Sequence, residues 1–532
     1  MWRFYLENKK SINYGVLLFF ISFFSLIITN KDIGLTWDEE YYVHHSILIE
    51  NSIKSLDLDS IKKAFYYDRL RNCHPPFYKI SGIIIGETLG KLFFDNPLFK
   101  FRVSTIFWSS VFIIFFYFYL LLAYKDLKGK ELFAFISSLI MLFIPRFFGH
   151  YHLLTTDALV MIFGFISMVL FYFYGHRNIF LIFSSLFLGF LLATKITGIL
   201  VFPVLIVLGL LEEDKKSYYK RFTIYLFLGT IFFILSDFYY LLDFKRELKW
   251  YFYTGFKRNE FTLISTYWMG KFYSYIYPPR IYWEKLFYML PEIVIIFFIL
   301  GVLYILSLYY VNIKKTYYKF NYKDIKKLNF EFISFFLLSV IFSLPNIQKH
   351  DGIRLFSLGW PYLVLISIRG VYFLGKILED LKIKERTYWL YIICFYFVLI
   401  IMDNFTISPY YLSYYNEFIG GLRGAQEKGC PISYWYDALN IQFLREIKKF
   451  IEKNEPKGRV IRVFSYPNRE ILIYNQYLKL LTAKNIITTF KLDKADYILY
   501  LNRYPKKVEF SFTQGTGVIK DNVLIIGFFK NE

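Results

Sequence analysis

Read from its N-terminus, the chain alternates between long apolar runs and short stretches rich in charge up to about residue 402. The runs are Asn13–Thr29, Phe101–Tyr124, Leu132–Pro145, Ala158–Tyr174, Ile179–Thr194, Ile196–Leu211, Phe222–Leu242, Lys285–Tyr310, Phe330–Leu344, Leu355–Leu374 and Tyr388–Met402. Most approach the length needed to cross a hydrocarbon core, so they predict about eleven transmembrane helices. The section 31–100 breaks the rhythm. Its last part, Phe77–Phe94, carries Lys79, Glu87, Lys91 and three glycines, which suits a helix lying in the membrane interface better than a span. The alternative, a hairpin crossing there, would leave Lys125, Lys128 and Lys130 on the outer side. With the interfacial reading, every strongly basic loop falls on one face. These are the clusters at Lys215–Arg221, Lys314–Lys327 and Lys376–Arg386. The positive-inside rule then makes that face cytoplasmic, together with the N-terminus.

The tail, 403–532, has no further span and is expected outside the cell membrane as a small α/β domain. Leu439–Ile451 has helical spacing, while Arg459–Ser465, Ala495–Leu501 and Asn522–Phe529 are rich in β-branched and aromatic residues and read as strands. The predicted fold is a polytopic α-helical membrane protein, residues 1–402, with a C-terminal extracytoplasmic α/β domain.

Composition agrees. Of 532 residues, 56% are hydrophobic and 23% aromatic, which no ordinary soluble domain carries. The net charge of +21 sits in short clusters between apolar runs, so it reads as topology and not as nucleic-acid binding. Arg3, Lys9 and Lys10 precede the first run as in a signal peptide, but no small-residue cleavage site follows, so that run is read as retained. Cys73, Cys394 and Cys430 form no CxxC pair and support neither a zinc motif nor a disulfide framework.

The topology collects an unusual set of ionisable residues on the outer face. TWDEEYY (Thr36–Tyr42) follows the first span, and its three carboxylates cannot face lipid at a cost of roughly 2.5–3.5 kcal/mol each. RNCHPPFYK (Arg71–Lys79), PRFFGHYHLLTTD (Pro145–Asp157), Lys195 in LATKITG, the aromatic loop around Tyr267 and QKHDGIRLF (Gln348–Phe356) join it. Each has a plainer reading. In the plainer reading the acids are solvated span ends, His74-Pro75-Pro76 a helix-starting turn, Lys195 a snorkelling lysine and the aromatic loop an interfacial belt. His150 and His152 could make a metal site with Asp157 or Glu39, but the spacing is loose. No cofactor is assigned, and a divalent metal is the alternative.

In this order the motifs resemble the bacterial relatives of the dolichyl-phosphate-mannose–protein mannosyltransferases, glycosyltransferases of the GT-C fold. The motifs are DE at Asp38-Glu39, HPP at His74, PRxFGHxHxxxTD from Pro145, TK at Lys195 and HDGxR ending at Arg354. Pro409–Ala425 and Tyr434-Trp435 also look like that group's junction to its soluble domain. The resemblance implies transfer of a sugar from a polyprenyl-phosphate donor to an acceptor hydroxyl on a protein, glycan or lipid, with Asp38 as catalytic base. Glu39 is a helper, while Glu40 reads as structural. An attacking hydroxyl must lose its proton, and a positioned carboxylate can take it. The departing phosphate needs cations, for which Arg354 and Lys195 are the candidates, with His350 and Arg146 as helpers. His74, Asp157, His150 and Tyr267 complete the expected substrate site. The competing class is a transporter or flippase of a lipid-linked sugar. It would place its ionisable groups near the bilayer midplane, often in repeated halves, and this chain shows no repeat. A receptor or assembly scaffold would leave the outer-face cluster unexplained.

Overall fold

A computed structural model of the chain describes residues 2–71, 74–237, 239–240, 243–256, 264–313, 322–381, 388–483, 485–505 and 514–531. Cys73, part of the basic loop after residue 313, and Lys382, Lys384 and Arg386 therefore lie outside the described residues. The helices that matter below are α1 (Trp2–Thr29), α2 (Trp37–Lys54), α3 (Leu58–Arg71), α4 (Phe77–Thr88), α5 (Pro97–Ala123), α6 (Lys130–Phe143), α7 (Pro145–His150) and α8 (Thr156–Val169). They continue with α9 (Asn178–Leu192), α10 (Val201–Leu210), α11 (Lys215–Ser236), α12 (Phe244–Phe256), α13 (Arg280–Met289) and α14 (Glu292–Ile313). α15 (Tyr322–Ser343), α16 (Trp360–Asp380) and α17 (Tyr388–Ile407) close the bundle.

Most of the apolar runs are single helices, and among the described residues 7 helices are long and apolar enough to cross a membrane. The protein is a polytopic helical membrane protein. Two further runs, Asn178–Leu192 and Ile196–Leu210, are shorter apolar helices meeting at the Lys195 turn. The run Lys285–Tyr310 is not one helix. Leu290 is extended (ψ 149°) before Pro291, because the proline ring disfavours the helical region for its predecessor, and α13 ends there. α8 is the central helix, with 94% of its span buried. α14 and α16 cross in direct contact at glycines: a Cβ on Gly370 would lie 2.0 Å from the Phe297 carbonyl oxygen. Away from the acidic end of α2, Arg369 on α16 grips Glu331 on α15 with two 2.8 Å bonds, and Tyr119 donates to the same carboxylate. That pairing satisfies a buried charge inside the bundle.

The polar section 31–100 folds as α2, α3 and α4. α4 has 12 residues, about 18 Å of helix against a hydrocarbon core of about 30 Å, too short to cross. It leans on α5 through small residues, since a Cβ on Gly86 would come within 2.8 Å of Phe101. TWDEEYY starts α2 through a capping box in which Thr36 and Glu39 bond each other's backbone amides.

Glu39 has a second task. Arg102 on α5 donates to both its oxygens, at 2.8 and 2.5 Å, and to the carbonyls of Ile33 and Gly34. The Leu154 amide also donates to Glu39, at 2.8 Å. Both side chains of the pair are fully buried.

The tail carries a mixed sheet. With the hairpin Thr266–Trp268 and Lys271–Tyr273 as β1 and β2, its strands are β3 (Ile461–Tyr466), β4 (Ile486–Thr488), β5 (Tyr497–Leu501), β6 (Gly515–Lys520) and β7 (Val523–Lys530). Their order is β4-β3-β5-β7-β6, parallel at β4-β3-β5 and antiparallel beyond. The segment leading into this domain docks on the start of α2. The Gly34 amide donates to the Asp437 carbonyl (2.7 Å) and the Trp37 amide to the Trp435 carbonyl (3.0 Å). A Cβ on Gly34 would sit 2.4 Å from the Leu439 oxygen, so only glycine permits this approach.

Removing one partner of a buried pair strands the other charge, typically at a cost of about 3–5 kcal/mol. Arg102→Met is therefore expected to lower the unfolding temperature in detergent markedly. Arg102→Lys should restore only part of the loss, since an ammonium cannot make the two parallel bonds. Unfolding of Arg102→Met at the wild-type temperature would contradict this.

Candidate active site

Asp38 lies in the first turn of α2, where the helix dipole favours a carboxylate. Asp157 occupies the matching place at the start of α8. A third carboxylate, Asp351, comes from the loop before α16. Asp351 (φ 51°) and Gly352 (φ 66°) both take left-handed backbone there, a conformation glycine adopts freely and aspartate tolerates. A Cβ on Gly352 would meet the Arg146 Nη1 and the Tyr434 ring at 3.0 Å.

Arg354 joins all three. Its Nη1 donates to Asp38 Oδ2 (3.1 Å) and Asp157 Oδ2 (2.9 Å), and its Nη2 to Asp351 Oδ2 (2.9 Å). The guanidinium lies 4.2 Å over the Trp435 ring. Lys195 Nζ donates to the other Asp157 oxygen at 2.6 Å, and Arg503 Nη2 to the other Asp351 oxygen at 2.6 Å. Arg503 also binds the Tyr434 carbonyl (2.7 Å) and lies 4.9 Å from the Trp37 ring centre. Three cations thus face three carboxylates. The carboxylates differ in access: the side chain of Asp38 is 31% exposed, that of Asp157 2% and that of Asp351 8%.

Arg146 sits beside this cluster in a different state. Its Nε donates to the Tyr414 carbonyl (2.9 Å), and its plane lies over Tyr415 and Tyr434, at 5.0 and 5.8 Å. Both Nη atoms are buried without a hydrogen-bond acceptor among the described residues. Asp437, whose carboxyl burial pushes up to about 6 against the pull of Ser433 and Arg146, bonds Ser433. His150 bonds the Tyr434 hydroxyl through Nε2 (3.1 Å). Burial pushes its imidazole down to about 3; Arg354 and Arg146 add to this and Asp157 opposes it, so the ring is neutral.

Of the residues expected in the site, Asp38, Asp157, Lys195 and Arg354 meet in one network, with Arg146 and His150 against it. His350 is buried next to Asp351 and adds to the charge acting on it. His74 is buried in the turn before α4, which the Phe77 amide ties to the Ala193 carbonyl just before Lys195. Tyr267 stands apart: it packs on Phe272 and Tyr504, at 4.9 and 5.3 Å, where the β1–β2 hairpin meets the tail. Glu39 does not open onto the cluster, being enclosed by Arg102 and the cap. Glu40 is also buried, held by Asn468 of the tail at 3.0 Å. The turn Arg146–Asp157, expected as an outer loop, is buried throughout because the tail covers it. His150 and His152 take different partners, His152 binding Thr29 and the Phe148 carbonyl. Among the described residues no three His, Cys, Asp or Glu side chains gather as a metal-holding set.

Sequence reasoning missed Asp351, Arg503 and Arg102 as members, and gave Trp435 no role. Asp351 stood in the quoted HDG and could have been named. Arg503 follows an apolar strand with no motif around it.

No family model and no curated protein matches the chain. Among solved structures it is similar to the crystal structure of ArnT from Cupriavidus metallidurans bound to undecaprenyl phosphate, over 96% of this chain and 97% of that one, with 10% identity and a TM-score of 0.46. It is also similar to the archaeal oligosaccharyltransferase AglB from Archaeoglobus fulgidus, in complex with an inhibitory peptide and a dolichol-phosphate, over 90% of this chain and 64% of that one, with 12% identity and a TM-score of 0.45. So distant a likeness carries no argument about the chemistry of this chain.

Burial works to raise the Asp351 carboxyl, but Arg503, then Arg354 and His350, overcome it and hold the group below the usual carboxylate range. Its contribution to stability is complete above about pH 4, the ordinary carboxylate value, and is lost as the pH falls toward the depressed native value. Arg503→Gln removes the largest of the lowering charges. Its acid-side loss of thermal stability should begin at a higher pH than in the wild type, as a series of unfolding temperatures between about pH 3 and 6 would show.

Proposed function

We propose that the protein is an integral membrane glycosyltransferase. It moves a sugar from a polyprenyl-phosphate donor to an acceptor hydroxyl on a protein, glycan or lipid, with inversion and with Asp38 as general base. The observation that carries this reading is the inequality among the carboxylates on Arg354. The side chain of Asp38 is 31% exposed, whereas those of Asp157 and Asp351 are 2% and 8% exposed. Arg354 donates to Asp38 Oδ2 at 3.1 Å and orients it, as a base must be before the acceptor arrives. The acceptor oxygen attacks the anomeric carbon, its proton passes to Asp38, and the bond from that carbon to the phosphate oxygen breaks with its electron pair leaving on the phosphate.

The geometry at Arg146 supports a seat for that phosphate. Its two Nη atoms, buried without a hydrogen-bond acceptor among the described residues, suit bidentate contact with a phosphate. Lys195 and Arg354 act beside it by fixing the aspartates and lending charge. His150 and His350 border this seat, and His74 borders the Lys195 side. Glu39 is a positioning residue that sets the start of α2, and with it the place of Asp38. Tyr267 serves the acceptor side through the hairpin. In this reading residues 1–402 form a GT-C type domain in the cell membrane with the N-terminus cytoplasmic, and 403–532 form an extracytoplasmic domain over the site.

Asp38→Asn should lower sugar transfer by about 10²–10⁴-fold, the usual worth of a general base, with membrane insertion kept and only a modest fall in unfolding temperature, since Asp157 and Asp351 still hold Arg354. Arg146→Met should chiefly raise the KM for the donor. Wild-type turnover in Asp38→Asn, or lipid movement across liposomes with no glycosylated product, would overturn the reading.

A further inference from the structure

A second polar concavity lies away from the aspartate network, between α3 and α12. Two hollows of about 730 and 340 Å³ share Asp243 and Arg246 in their walls. Lys62 and Lys63 come from α3, and Lys245, Arg246 and Lys249 from α12, so five cations line them against the two acids Asp243 and Glu247. Even counting both acids, the lining keeps an excess of three positive charges. Asp243 caps α12 by accepting from the Arg246 amide at 3.2 Å, and Glu247 is buried beside Arg246. Lys62, Lys245 and Lys249 make no hydrogen bond or ion pair among the described residues. Trp250 and Tyr253 stack at 5.9 Å in one wall, and Arg246 lies 4.8 Å over Tyr66.

The depth of α12 in the membrane follows from its other faces. Tyr251 donates to the Leu192 carbonyl at the end of α9 (3.2 Å), and Gly255 abuts Ile196, the residue after Lys195. The helix therefore lies at the same membrane boundary as the aspartate network. Phe244, Leu248 and Phe252, four residues apart, are 49%, 37% and 48% exposed. An apolar stripe of that kind beside a row of lysines is the pattern of a helix lying flat in the headgroup layer, stripe toward the acyl chains.

We propose that this groove seats the phosphate-bearing headgroup of an anionic phospholipid, with its acyl chains along Phe244, Leu248 and Phe252. The excess of cations fits a phosphate, the aromatic wall fits the glycerol and headgroup carbons, and the stripe supplies the place for the chains. A soluble anion would use the cations but leave the stripe without a partner. The groove is separate from the donor phosphate seat at Arg146, and its occupancy needs no turnover.

The test is native mass spectrometry of the full chain in detergent mixed with equal amounts of phosphatidylcholine and phosphatidylglycerol. The wild type should retain phosphatidylglycerol selectively. Lys245→Gln, Arg246→Gln and Lys249→Gln combined should weaken that retention by about fivefold for each cation removed. Neutralising Lys125, Lys128 and Lys130 between α5 and α6 should leave it unchanged. Equal retention of the two lipids, an unaffected α12 variant, or complete displacement by low-millimolar inorganic phosphate would each overturn the proposal. None of these outcomes depends on Asp38, so failure here leaves the transferase reading to its own test.

Discussion

A single guanidinium, that of Arg354, is held by carboxylates from three separate parts of the chain. A buried cation is tolerated only where opposite charge and hydrogen bonds replace its water, and Arg354 meets this with Asp38 from α2, Asp157 from α8 and Asp351 from its own loop. Trp435 of the tail closes its face. Displacing any of these segments would leave a charge without its partner, so the network fixes the relative positions of α2, α8, α16 and the tail. The same demand reaches outward: Lys195 and Arg503 complete the aspartates, and Arg102 with Glu39 holds the turn from which α2 starts.

The tail belongs to this arrangement and does not merely cover it. Trp435 and Arg503 enter the network, Asn468 holds Glu40, and the carbonyls of Trp435 and Asp437 and the side chain of Asn440 are bonded to residues 32–37. The close contact at Gly34 shows how tightly the two parts are joined.

Much of this was legible in the chain. Span positions followed from apolar length, and the clustering of Asp38, Asp157, Lys195 and Arg354 followed from topology, because loops on one face have only one another to meet. What failed to show were contacts that depend on depth and register. Glu39 read as a helper beside Asp38, but the capping box turns it inward, one residue of helix being about 100° of rotation. The burial of the turn Arg146–Asp157 did not show, because hydropathy does not reveal a domain packed above it. Arg503 had no local signal, since its role comes from where β5 ends and not from its neighbours in sequence. Pro291 could have been read as a break, since proline constrains the residue before it whatever the tertiary context.

The central claim is that the exposed edge of Asp38 and the two Nη atoms of Arg146 together receive a polyprenyl-phosphate sugar. The most direct measurement is mass spectrometry of lipids carried by the purified Asp38→Asn protein, compared with Arg146→Met. The account predicts a polyprenyl-phosphate bearing one sugar on the Asp38 variant, trapped for want of a base, and its loss from the Arg146 variant. Absence of any polyprenyl lipid from the Asp38 variant, or equal amounts on both, would contradict it.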